Sequence, residues 1–159
     1  MDSYLYSYYK RDIENSILTP EEAKEHIFGY TCGNDLSARD AQFVSNQWLI
    51  GKTLPNFAPT GPFIVTADSF DPADSHAIQC RLNGELVQNG NTNDMIFSCP
   101  EIVSYCSRHF TLNPGDMIFT GTPAGVILGK AKGTRVWLTP GNELEVTIEG
   151  IGSLKNKLV

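Results

Sequence analysis

Phe28-Gly29-Tyr30-Thr31-Cys32-Gly33-Asn34-Asp35-Leu36-Ser37-Ala38-Arg39-Asp40, with Gln42 two residues on, is the stretch from which the fold is read. Phe28, Tyr30 and Cys32 alternate with Gly29, Thr31 and Gly33, the period of a short strand. Ser37 then stands three residues ahead of Asp40, the spacing of a capping box, which predicts a helix starting near Ala38. Asp35 therefore falls in a strand-to-helix turn, and Arg39 and Gln42, three apart, share one helical face. A carboxylate in such a turn can bind a metal ion, and a guanidinium beside an amide can hold an anionic, oxygen-rich ligand. A second reading stays open at this point, in which Asp35 caps the turn and Arg39 pairs with it.

Upstream, Thr19-Pro20-Glu21-Glu22 reads as a helix start: a cap, a proline in the first turn and carboxylates at the positive helix end. That helix should be short and stop before Gly29. From Gly61 the chain reads mainly as β-structure. Phe63, Val65 and Ala67 alternate with Ile64 and Thr66, a strand predicted to be covered on both faces. Ile78, Cys80 and Leu82 alternate with Gln79 and Arg81, and Asn83-Gly84 is a two-residue hairpin signal into Glu85-Leu86-Val87. Ser98-Cys99-Pro100-Glu101 opens a second helix, with a buried stripe expected at Ile102, Val103, Cys106 and Phe110. Strands are predicted at Met117-Ile118-Phe119 and Arg135 to Leu138, then, after the turn Pro140-Gly141-Asn142, with Leu144, Val146 and Ile148 inward. No internal repeat or linker interrupts the chain.

A chain of 159 residues, 41% hydrophobic and 19% charged, is long enough to bury one core. Twelve basic against eighteen acidic residues give a net charge of −6, which disfavours a nucleic-acid binder. There is no basic cluster to meet an anionic membrane surface, and no apolar run long enough to cross a bilayer. The start, Met1 to Lys10, is aromatic and polar and does not read as a signal peptide. Cys32, Cys80, Cys99 and Cys106 lack zinc-ligand spacing and read as small core residues in a reducing compartment, so cytoplasm is the expectation. His26, His76 and His109 fall at no ligand or triad spacing and read as structural or surface residues. Gly51-Lys52-Thr53 invites a phosphate-loop reading, but the motif's first glycine would be at Asn46, so nucleotide binding is rejected.

Gly29-Tyr30 through Arg39-Asp40, Gln47-Trp48-Leu49-Ile50-Gly51-Lys52-Thr53 and Ala58-Pro59-Thr60-Gly61-Pro62 resemble the fumarylacetoacetate hydrolase family. So do Asn83-Gly84-Glu85, Asn91-Thr92-Asn93-Asp94-Met95-Ile96-Phe97, Pro114-Gly115-Asp116 and Thr120-Gly121-Thr122-Pro123-Ala124-Gly125-Val126. The blocks fall in family order from about Phe28 to the C-terminus. The resemblance implies an α+β, β-rich fold, a mixed β-roll or sandwich with a few short helices, in a core domain over 19–159 behind an atypical segment 1–18. It implies an Mg2+- or Mn2+-dependent hydrolase or decarboxylase that cleaves a C–C bond in small 1,3-diketo or 2-oxo acids, such as acylpyruvate or oxaloacetate. Oxo-acid metabolism, including aromatic catabolism, and a homodimer come with it. By matching positions, Asp35 would be the metal ligand, Arg39, Gln42 and Thr122 would grip substrate, and Lys52 would stabilise charge. Thr122 sits between Gly121 and Gly125, where a ligand can approach backbone N–H groups, although a plain β-turn explains the same residues. Asn56 stands where many family members carry threonine.

One departure matters. The family generally adds a Glu-x-Glu pair upstream of the aspartate matching Asp35. Here Lys10-Arg11-Asp12-Ile13-Glu14-Asn15 resembles the segment after that pair, and Met1 to Tyr9 contain no glutamate. Glu143-Leu144-Glu145 has the right form, but the alternation turns both glutamates away from Leu144 and Val146, towards solvent. The alternative function is therefore a catalytically impaired core that binds ligand weakly or acts as a dimer partner.

Overall fold

The computed structural model describes residues 18–159, so the atypical segment drawn at 1–18 and the resemblance of Lys10 to Asn15 fall, Leu18 apart, outside the described residues. The chain divides into two compact units. One comprises residues 18–28 and Met95–Thr120, the other Gly29–Asp94 and Gly121–Val159.

The smaller unit is built on two capped helices. In α1 (Pro20–Glu25), Thr19 and Glu22 form a reciprocal capping box with Pro20 in the first turn. In α3 (Cys99–Ser107), Ser98 and Glu101 form another. Both starts follow the sequence reading. The hydrogen bonds from Thr19 and Ser98 hold the Glu22 and Glu101 carboxyls below their usual range. The buried stripe of α3 differs from expectation. Ser104 and Ser107 are buried, whereas Phe110 is 51% exposed. The reason is polar: Ser104 Oγ donates to the Leu18 carbonyl at 2.6 Å, and Leu18 N–H donates to Ser107 Oγ at 3.3 Å. Small hydroxyls let the chain before α1 lie close to α3. The segment Met117-Ile118-Phe119 is not a strand. An extended stretch becomes one only where a neighbour completes its ladder.

The larger unit carries two antiparallel sheets. β1 (Gly29–Gly33) pairs with β2 (Thr60–Thr66), with a register shift between Tyr30 and Cys32. A four-stranded sheet has the order β4 (Glu85–Asn91), β3 (Ala77–Leu82), β5 (Glu143–Ile148), β6 (Gly152–Lys157). Asn83 (φ 51) and Gly84 (φ 84) both adopt positive φ between β3 and β4, as a tight hairpin turn requires. Cys32 from β1, Cys80 from β3, Leu144 and Val146 from β5 and Leu154 from β6 meet Phe70 and Ile151 in one core. The α+β, β-rich class is as the sequence indicates.

Three expectations are corrected here. Phe28 lies outside β1 and is 75% exposed, so the alternation begins at Tyr30. Among the described residues the strand β2 is not covered on both faces, since Phe63 and Ile64 are each more than half exposed. Residues 135–138 form no strand: a 3-10 turn at Lys132–Thr134 precedes them. The Arg135 guanidinium donates to the Lys130 and Leu128 carbonyls, each at 2.9 Å, which curls the backbone back instead of extending it. By contrast Glu143 and Glu145 face outward as read, opposite Lys157 (3.9 Å) and Lys155 (3.2 Å). None of the four cysteines is in a disulfide. No helix among the described residues is long and apolar enough to cross a membrane.

The two capping boxes predict an acid sensitivity with a definite sign. Carboxyls held below their unfolded value stabilise above that value, about pH 4.3 for glutamate, and lose the contribution as pH falls through the depressed folded value. Thr19→Ala and Ser98→Ala should each lower the thermal midpoint at pH 7 by about 2–4 °C. The gap from the parent protein should narrow when melting is followed at pH 3; a constant gap across that range would contradict the assignment.

Candidate functional site

The site begins where β1 leaves the core. Cys32 is fully buried, and three residues later the chain carries the half-exposed Asp35. Leu36 N–H donates to the Phe57 carbonyl (2.9 Å), and Ala38 N–H donates to the Gly51 carbonyl (2.9 Å), closing 36–57 into a compact loop. Within it α2 (Arg39–Gln42) is a single turn, and Trp48–Gly51 forms a 3-10 turn. The predicted Ser37 cap does not form. Ala38 is the N-cap, and the Ser37 hydroxyl donates to the Asp35 carbonyl at 3.4 Å. A four-residue helix offers too little dipole to reward a capping box, so the serine tightens the turn instead.

Four of the five residues singled out from the sequence are tied within this loop. Lys52 Nζ stands 2.5 Å from Asp35 Oδ2, and Arg39 donates from Nη1 to Gln42 Oε1 at 2.6 Å. The alternative in which Arg39 pairs with Asp35 is thus not realised: the aspartate has the lysine and the arginine has the glutamine. Gln42 is 1% exposed and fixed from behind. A Cβ on Gly51 would stand 2.7 Å from the backbone nitrogen and Cα of Gln42, so only glycine permits this approach. The Arg39–Gln42 bond therefore rests on a rigid base.

With its side chains 27% (Lys52) and 47% (Asp35) exposed, the ion pair contributes about 1 kcal/mol or less to stability. Its interest is chemical. It presents an ammonium and a carboxylate side by side, where a ligand oxygen can compete for the ammonium. Thr122, the fifth residue, belongs to a different contact. Its hydroxyl accepts a hydrogen bond from Gln88 Nε2 on β4 at 2.9 Å. An open cleft of about 460 Å3 is lined by Arg39, Asp40, Phe43, Leu128, Arg135 and Trp137; of the five, Arg39 alone lines it.

Sequence reasoning did not find Gln88, Gly51 as the base under Gln42, or the aromatic wall of Phe43 and Trp137. Gln88 lies 34 residues from Thr122, and no local pattern links them. Asn56, at φ 66, sits in left-handed backbone that asparagine tolerates well; its residue type is explained by the turn.

Among the described residues no group of three or more His, Cys, Asp and Glu side chains is placed to hold a metal ion. Asp35 offers one carboxylate, and an ammonium already faces it. A divalent cation takes about six or more oxygens, so the described residues do not fit one by themselves. Neither Cys32 nor Cys80 offers a ready nucleophile: burial pushes both thiols above the usual range, against a lowering bond from Ile148 in the case of Cys32. His76 stacks on Phe70 at 4.2 Å, and its Nε2 lies 3.0 Å from the Asp71 carbonyl, a structural setting as the sequence indicated.

Comparison with known proteins gives a consistent result. A family model described as fumarylacetoacetate (FAA) hydrolase C-terminal matches residues 8–159. The mitochondrial oxaloacetate tautomerase fahd2 of Xenopus laevis is 43% identical over 141 residues, covering 87% of this chain and 44% of that protein. Oxaloacetate tautomerase YisK of Bacillus subtilis is 42% identical, covering 89% and 46%. Among solved structures, a fumarylacetoacetate hydrolase from Exiguobacterium antarcticum superposes with a TM-score of 0.85 at 47% identity, over 91% of this chain and 51% of that one. A fumarylpyruvate hydrolase from Pseudomonas aeruginosa, in complex with Mn2+ and pyruvate, does so with a TM-score of 0.79 at 34% identity, over 91% and 59%. The chain spans about half the length of the curated relatives it matches.

Gly51→Ala tests the base of the site. The forced shift of Gln42 should cost about 1–3 kcal/mol, read as a lower denaturation midpoint. Gly133→Ala, where a Cβ meets nothing within 4 Å, should leave the midpoint within a degree or so. Equal effects would show that the contact at Gly51 is not tight.

Proposed function

The chain belongs to the fumarylacetoacetate hydrolase family, and from that premise we propose that its 35–52 loop holds a small 2-oxo carboxylic acid while a proton moves between its keto and enol forms. One observation carries the reading: an ammonium–carboxylate pair and an amide-braced guanidinium share one closed loop. Relatives named oxaloacetate tautomerase lend it support.

Each residue then has a distinct task. Arg39, its Nη1 spent on Gln42, keeps its remaining N–H groups to grip a substrate carboxylate, for which a planar fork suits better than an ammonium. Lys52 donates to the carbonyl oxygen that becomes the enolate oxygen, where positive charge counts most as negative charge develops. It can also deliver or take the O–H proton that separates enol from enolate, while the C–H proton that separates enolate from keto acid exchanges with water. Thr122 adds a hydroxyl donor for a carboxylate. Asp35 keeps the ammonium in place and is the one carboxylate here that would contact a divalent cation. An Mg2+ or Mn2+ ion is proposed on the family premise, its remaining ligands coming from outside the described residues. Keto–enol exchange asks least of this loop, because it needs no activated water. Hydrolytic or decarboxylative C–C cleavage shares the enolate and is the second reading, favoured by the fumarylpyruvate hydrolase relative. The homodimer stays part of the proposal, with the exposed Phe63 and Ile64 of β2 as apolar surface it would cover. A reducing compartment fits four cysteines outside any disulfide; relatives with mitochondrial names make the mitochondrion as good a candidate as the cytoplasm.

Oxalate, a planar dianion shaped like the enolate of a 2-oxo acid, is the direct probe. Calorimetric titration with Mn2+ present should show binding that Arg39→Lys weakens about tenfold. Lys52→Met should slow the ketonisation of oxaloacetate enol, followed by its ultraviolet absorbance, about a hundredfold. Chelator should weaken oxalate binding, and Mn2+ alone should bind in about the millimolar range or more weakly. Unchanged oxalate affinity in Arg39→Lys, together with unchanged ketonisation in Lys52→Met, would refute the reading.

A further inference from the structure

We infer that Gln88 is a positioning residue: it holds the Thr122 hydroxyl with its proton turned outward, as a donor to a ligand carboxylate. The inference rests on the site reading above and extends it to a residue outside the 35–52 loop.

Gln88 spends its amide on one loop. Nε2 donates to Thr122 Oγ1 and to the Pro123 carbonyl, both at 2.9 Å. The Pro123 oxygen can only accept, so the amide must present its NH2 side, which settles the orientation of the side chain. A hydroxyl that accepts from Gln88 keeps its own O–H for another acceptor. One lone pair of the Thr122 hydroxyl is thus taken by Gln88, and its O–H stays available for donation away from β4, which suits a carboxylate.

The backbone around this contact is clamped at two further points. Gly125, at φ +107, lies so close that a Cβ there would stand 2.3 Å from the Val87 carbonyl oxygen. A Cβ on Gly90 would stand 2.7 Å from Pro123 Cβ. The loop that carries Thr122 is therefore pressed onto β4 on both sides of Gln88. With the loop held close to β4, Gln88 excludes the hydroxyl direction that would turn the Thr122 proton back onto the strand. A neutral amide does this without drawing the anion onto itself, as a lysine at the same place would.

A double-mutant cycle on the full chain tests this, with oxalate as probe and Mn2+ present. Gln88→Met keeps the length and removes both donors; Thr122→Val removes the hydroxyl. Each should weaken oxalate about tenfold, and the double variant no more than Thr122→Val alone, since Gln88 acts only through Thr122. Gln88→Asn, which keeps the amide but falls short of both acceptors, should reproduce Gln88→Met and serves should the methionine variant fail to fold. Gln88→Glu should bind worse than Gln88→Met, because a carboxylate draws the threonine proton back. A purely structural role would shift the melting midpoint and leave oxalate affinity in place. Full affinity in folded Gln88→Met beside a loss in Thr122→Val would overturn the inference and spare the site reading. Additive losses would do the same. Full affinity in Thr122→Val, or no oxalate binding by the parent protein at millimolar concentration, would remove the site reading and this inference with it.

Discussion

The burial of Cys32 is the constraint from which the site takes its place. With Cys32 fully buried among Phe70, Cys80, Leu144, Val146, Ile151 and Leu154, β1 is anchored in the core and the chain must leave it at Gly33. The Cys32 thiol also lies 3.4 Å from the Gly152 carbonyl, so the same residue bonds across to the start of β6. Everything that carries charge in the site then follows within twenty residues of that exit. Asp35 is two residues beyond the strand, and the hydrogen bonds of Leu36 and Ala38 fold the next stretch back on itself. The core thus fixes chemistry it does not touch, by fixing where the chain emerges.

Rigidity and exposure are divided between the two pairs in the loop. Gln42 is buried and backed by Gly51, so the guanidinium it accepts from has a fixed reference direction. Asp35 and Lys52 are partly exposed, so their attraction is weakened by solvent and the ammonium can be drawn to an incoming ligand. A site made only of buried pairs would be too costly to open, and one made only of exposed pairs would have no fixed geometry. Under the proposed reading the guanidinium would orient and the ammonium respond, an arrangement suited to a reaction in which charge appears on one oxygen.

Much of this was legible in the sequence where the signal is local. Thr19 with Glu22, and Ser98 with Glu101, place carboxylates three residues from hydroxyl caps before a helix of at least six residues, and both boxes form. Asn83-Gly84 supplies the two positive φ values of a tight hairpin, and the hairpin forms. Arg39 and Gln42 are three apart, and they bond. The readings that missed depended on neighbours that local pattern does not contain. Ser37 and Asp40 have capping spacing, but α2 stops after one turn. Residues 117–119 and 135–138 have strand-like composition, but a strand is a property of a pair, and Arg135 instead satisfies carbonyls of the preceding turn. Of the candidate site, Asp35, Arg39, Gln42 and Lys52 were singled out in a stretch whose ends, Asp35 and Lys52, are 17 positions apart, and the structure pairs them. Gln88 was not, because its partner is 34 residues away and a lone glutamine in a strand carries no mark.

The charges of the loop bear on any divalent cation as well. Asp35 and Lys52 together are neutral, so a cation placed at Asp35 would meet the repulsion of the ammonium as well as the attraction of the carboxylate. Two unit charges 4 Å apart interact by about 4 kcal/mol at an effective dielectric constant of 20, and a divalent ion feels the repulsion twice over. Paired in this way, Asp35 therefore attracts such an ion weakly without further negative charge. Two sources outside the pair can supply it: other carboxylates, or the ligand, since under the proposed reading a 2-oxo dicarboxylic acid arrives as a dianion. In the second case cation and ligand must strengthen each other's binding by the same factor, because coupling between two sites on one protein is reciprocal. The ion pair that makes the empty-handed aspartate a poor metal ligand is thus what would make metal and oxo-acid bind as a unit.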